Sequence, residues 1–160
     1  MPKWVGGLLL LLVAILLGAA REFLFINLNY VIDFVENHRE VSYAHSAFRA
    51  LVNGWSLSSL VLLKWLLALV FIAVMLGLSI AMARVLFGDH RYRKIILIGF
   101  IAIGALALVF HLAAAGSPAW EGVSVKLLHA LQYPVVLLFI WAAALIGRDS
   151  PEGSISETDN

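Results

Sequence analysis

Apolar residues run along this chain in blocks too long to be one face of a soluble helix. Trp4 to Ala20 carries no charge, and after a mixed stretch three more uncharged blocks follow, Trp65 to Ala83, Ile95 to Trp120 and Leu127 to Gly147. A helix rises about 1.5 Å per residue, so about 20 residues cross a hydrocarbon layer about 30 Å thick. The pattern predicts an all-α polytopic membrane protein with transmembrane helices at about 4–20, 57–87, 95–115 and 124–147, forming one four-helix domain over residues 1–147. A partly helical extracytoplasmic loop over 21–55 is expected between the first and second helices. The tail over 148–160, with Pro151, Gly153, serines and acids, has nothing to bury and is expected to be disordered and cytoplasmic.

Helix ends can be assigned from local chemistry. Asn53-Gly54 breaks the chain, and Ser56 caps a second helix that extends into the interface, letting Lys64 snorkel to water beside Trp65. Gly116-Ser117-Pro118 ends the third helix, leaving Trp120 in a tight hairpin. Pro134 has no amide hydrogen, which frees the carbonyl of Ala130 and predicts a kink in the fourth helix. The first block also has the outline of a signal peptide, with Lys3, a leucine run and Gly18-Ala19-Ala20 before Arg21. An uncleaved helix is preferred because the basic n-region is a single lysine and the apolar run is long. Either way Arg21 is expected to emerge on the far side of the membrane. In the loop, Phe23, Phe25, Ile26, Leu28 and Tyr30 are too apolar to stand free and should rest on the membrane or cap the bundle. Ala44, Phe48, Leu51, Val52 and Trp55 recur at helical spacing and predict a short amphipathic helix. Trp141 falls inside an apolar block, outside the interfacial belt that Trp4, Trp55, Trp65 and Trp120 occupy.

Composition sharpens the class. With 62% hydrophobic and 13% charged residues and a mean hydropathy of +0.97, the chain is no ordinary soluble domain, where about a quarter of residues are charged. The lipid bilayer is its first partner. A net charge of +1 without a basic helix gives no nucleic-acid surface. The absence of cysteine removes disulfides, thiolate metal sites and cysteine nucleophiles. Arg84, Arg91, Arg93 and Lys94 crowd one short connection, whereas Arg21, Arg39 and Arg49 are spread over the long loop. By the positive-inside rule the short connection and both termini are expected in the cytoplasm, in a bacterial inner membrane. Ala73, Gly77 and Ala81, four apart, form a small-residue stripe suited to close helix packing.

Candidate chemistry gathers on the loop side. His111 near the end of the third helix and His129 near the start of the fourth are expected at similar depth, with Gln132 and Tyr133 extending the strip and Lys64 and Lys126 entering from the same side. The loop adds Asp33, Glu36, His38 and His45. His111, His129, His38 and His45 are the candidate metal ligands, with zinc or a bis-histidine haem as the alternatives to a protein without cofactor. No HExxH or GxSxG spacing appears. The preferred expectation is therefore a non-enzymatic accessory or assembly subunit that binds another membrane or envelope protein through its loop and polar helix ends. An oligomeric pore or carrier, with homo-oligomers as partners, stands as a third reading.

Overall fold

The computed structural model describes residues 2–88, 91–113 and 118–148. Its first helix, α1 (Lys3–Glu36), corrects the expected boundary at Ala20, because the helix continues without a break for 34 residues, about 51 Å. The expected loop over 21–55 therefore shrinks to a connection that starts at Asn37. The small residues of the suspected cleavage site lie within this continuous helix. Leu24, Leu28, Val31 and Val35 continue the apolar spacing of three and four residues past Ala20, and Leu28 and Val31 are buried with Phe25 on the same side. Arg21 does not stop the helix because its charge is satisfied by neighbours inside the bundle.

The connection folds back through α2 (Ser46–Leu51), the short helix expected there. Asn27 holds it on α1, its Oδ1 accepting from the backbone amide of His45 at 2.6 Å. His45 in turn caps α2, its Nδ1 accepting from Ala47 N at 3.3 Å. Phe48 and Val52 are buried against Leu28, Val31 and Leu60, while Leu51 and Trp55, expected on the same face, stay exposed.

The third helix, α3 (Leu57–Phe87), has the limits read from the sequence. Ser56 Oγ accepts from Ser59 N at 3.3 Å, and Gly88 ends the helix in the left-handed region at φ 70°. The fourth, α4 (Arg91–Ala113), begins earlier than the expected residue 95, since Arg91, Arg93 and Lys94 are good helix formers at a polar interface. The last expected helix, 124–147, is corrected to a pair, α5 (Pro118–Gln132) and α6 (Val135–Arg148), bent by 57° at Tyr133-Pro134. Trp120 thus lies in the first turn of α5. Pro134 cannot donate to a carbonyl one turn back and its ring crowds that turn, so one helix becomes two. The expected tail beyond Arg148, and Gly116-Ser117, lie outside the described residues.

The long helices that follow one another in the chain run antiparallel, so α3 and the α5–α6 pair run in the same direction. Near one end, a methyl group at Gly7 would lie 3.0 Å from Leu86, and Phe87 packs on Tyr92. Lys3, Arg84, Arg93 and Lys94 belong to this basic end. At the opposite, loop end, Trp65 meets His111 and Phe110 stacks on Trp120. A core in the basic half joins Leu11, Ala14, Met75, Met82, Phe100, Leu131 and Leu137; Trp141 packs against it, its indole N–H buried without a hydrogen-bond partner among the described residues. Three helices are long and apolar enough to cross a membrane, and the bent pair makes a fourth span if counted as one. This is the architecture of a helical membrane protein.

Candidate functional site

Arg21 is 2% exposed, and its depth is fixed by its neighbours. The Phe25 and Phe71 rings are 6.4 Å apart, and Gly7 faces Leu86 further down the same pair of helices. One turn below Phe25, Arg21 is level with about Met75, near the middle of the uncharged block Trp65 to Ala83. Arg21, expected just past the end of the first helix, lies instead within it at the mid-depth of the bundle, where a charge is costly unless it is paired.

Its partners come from the break between α5 and α6. Arg21 Nε donates to Gln132 Oε1 at 2.9 Å, and Nη1 donates to Tyr133 Oη and to Glu22 Oε2, each at 3.0 Å. Successive helical residues point about 100° apart, so Arg21 and Glu22 do not share a face. The phenol of Tyr133 closes the gap, accepting from Arg21 and donating to Glu22. The guanidinium also lies over the Phe25 ring at 4.4 Å and the Tyr133 ring at 4.9 Å. The break approaches α1 at Gly18, where an added methyl would sit at ordinary contact distance, 3.6 Å from Pro134 Cδ. The proline frees α5 to end at this depth, and the arginine fastens that end to α1.

Above this cluster opens a cleft of about 430 Å³, floored by Arg21, Phe25, Ala68 and Gln132, with Lys64, Trp65, His111 and Glu121 towards the loop end. That volume lies in the usual range for a small-molecule site. Ile26, Ile32, Val61, Val125 and Leu128 give it apolar walls, and Asn29, Ser124 and His129 add polar points. The Ser124 hydroxyl donates to Ala107 O at 2.8 Å, which ties α5 to α4 and occupies the hydroxyl proton. The Trp65 and His111 rings meet edge to face at 6.2 Å, as do those of His129 and Tyr133 at 6.3 Å.

No family model matches this chain, and no curated protein or solved structure does either. The site has to be read from its own chemistry. Of the expected polar cluster, Lys64, Gln132, His111 and His129 line the cleft, and the others do not. Asp33 is engaged with Arg39, its two carboxylate oxygens meeting Nε at 2.8 Å and Nη2 at 3.2 Å. Glu36 ends α1 and Lys126 is exposed on α5, away from the cleft. His38 follows the C-cap of α1 with φ 47°, and His45 is the cap of α2. Thus the four histidines divide into a pair on the cleft and a pair in the connection, and no group of three candidate metal ligands converges among the described residues.

Sequence reasoning missed Arg21, Glu22, Asn29, Glu121 and Ser124 as cleft residues, and Asn27 as the anchor of the connection. The signal for most of them was present in the apolar spacing that continues through 24, 28, 31 and 35 and carries α1 onward. The small-residue stripe also has a different place from Ala14, which is fully buried. Ala73 and Gly77 face outward, and nothing lies within 4 Å of where a Gly77 Cβ would be.

Proposed function

We propose that this chain is a small integral membrane protein that acts by binding, as a non-enzymatic accessory or assembly subunit of a larger membrane complex. On this reading it sits in a bacterial inner membrane with both termini cytoplasmic, so that the loop end faces outward. The observation that carries the reading is the folded cap over 37–55. Asn27 and the buried Phe48 and Val52 hold it against the bundle, yet Tyr43 is 74% exposed and Leu51 75% exposed. A preorganised rim of large apolar side chains loses little entropy on docking, and aromatic anchors dominate protein interfaces.

The test is a photo-crosslinking side chain placed at Leu51 in cells. A discrete adduct with one membrane or envelope protein, lost on Tyr43→Ala together with Trp55→Ala, is expected. Crosslinking to lipid alone would remove the reading. A carrier is the second reading, favoured by the break at Tyr133-Pro134 beside a charged residue at mid-depth, where broken helices of transporters place their sites. It requires a defined homo-oligomer in mild detergent, and a clean monomer counts against it.

A further inference from the structure

We propose that the cleft binds an anionic amphiphile, an acid group on an apolar chain, with the acid held at Arg21 and the chain lying along the walls between α1 and α5. The proposal is independent of the accessory reading, and either can fail alone.

Three observations carry it. The first is the state of the guanidinium. Its bonds among the described residues use Nε and Nη1, and Nη2 takes part in none of them, although Arg21 lines the cleft. A buried arginine that lines a cavity and has a donor nitrogen outside its bonds is suited to a carboxylate or phosphate oxygen, because charge-assisted hydrogen bonds are the strong ones in a dry site.

The second is charge balance. Glu22 is already committed to Arg21 and Tyr133. Lys64 lines the same cleft without an ion pair among the described residues, so that of its two cations and two carboxylates, Arg21, Lys64, Glu22 and Glu121, the Lys64 ammonium is available to an incoming acid. Glu121 lies towards the mouth, in the first turn of α5, where the helix N-terminus offsets its charge.

The third is access. α1 and α5 each pack on α3 but scarcely on one another, and what joins them is the Arg21–Gln132 bond at the floor. The lining comes from α1, α3 and α5, with His111 from α4. The cleft is therefore entered from the side between α1 and α5. Its apolar walls, Ile26, Ile32, Val61, Val125 and Leu128, are suited to a hydrocarbon chain rather than a free inorganic anion.

The experiment uses the full chain in nanodiscs of phosphatidylcholine, which is uncharged overall, with pyrene-labelled dodecanoic acid as the probe and energy transfer from the protein tryptophans as the signal. Saturable binding of the acid is expected, with the methyl ester of the same probe at least tenfold weaker. Lys64→Gln lowers affinity for the acid about tenfold. Val61→Trp, which fills the cleft from a partly exposed wall position, abolishes binding. Displacement by phosphatidylglycerol doped into the discs assigns the acid to a lipid headgroup, and displacement by unlabelled dodecanoate alone assigns it to a free single-chain acid; both support the proposal. Equal binding of ester and acid overturns it. So does affinity of Lys64→Gln and Val61→Trp within twofold of the parent, in protein whose thermal unfolding is unchanged.

Discussion

Arg21 is the residue on which the bundle's polar architecture turns. It is buried at mid-depth, shares Glu22 with Tyr133, and leaves Gln132 without its partner if removed. Its removal leaves the buried Gln132 carbonyl without a donor, which costs about 1–3 kcal/mol, and loses the guanidinium's contacts with the Phe25 and Tyr133 rings, so the upper end applies here. Arg21→Ala is thus expected to destabilise the protein by about 3 kcal/mol, measured by denaturant unfolding in detergent micelles. Gln132→Leu removes one neutral acceptor and should cost about 1–2 kcal/mol by the same measurement. A loss under 0.5 kcal/mol in both would show that the cluster is solvated rather than structural. The residues of this cluster were only partly legible. Gln132 and Tyr133 stood out as polar positions in an apolar block, but Arg21 and Glu22 looked like the ordinary end of a transmembrane segment. Nothing in their immediate sequence shows that partners wait 111 residues away.

At the scale of elements, helix limits follow local chemistry wherever a cap or breaker is present. Ser56 and Gly88 bound α3 where their side chain and its absence dictate. Gly88→Ala, forced to φ 70°, should lose about 1 kcal/mol of stability, read as a lowered melting temperature. Pro134 predicted a kink, and the structure carries it further into two helices at 57°. Pro134→Ala restores the missing amide hydrogen and should straighten the pair. Spin labels at Val123 and Ile146 would then move apart by about 4 Å in pulsed electron resonance, since a straight helix rises 1.5 Å per residue. An unchanged distance would assign the bend to the Arg21 clamp alone. The end of α1 was misjudged for the opposite reason: no breaker stands at Arg21, and a charge is a reason to end a helix in lipid only when no partner is available.

At the scale of the whole molecule, two glycines in helices of the same bundle have opposite roles. A side chain at Gly7 would meet Leu86 at 3.0 Å, whereas one at Gly77 would meet nothing within 4 Å. Gly7→Leu should therefore lower the melting temperature of the monomer in detergent, by the overpacking cost of about 1–3 kcal/mol, while Gly77→Leu should leave it unchanged. If Gly77→Leu instead alters the mass of the complex seen by native gel or light scattering, the outward stripe is a contact with another chain. The sequence alone specified long apolar helices suited to lipid, because a crossing demands about 20 uncharged residues and that demand is written locally. It also determined most helix ends, since caps and breakers act within one turn. It took the packing of distant segments to bury Arg21 in the bundle, to put His38 and His45 in the connection while His111 and His129 line one cleft, and to part α1 from α5 above Gln132. Those outcomes depend on which groups far apart in the chain come within hydrogen-bond reach, and for a charge in a bundle that proximity decides between a costly burial and a paired site.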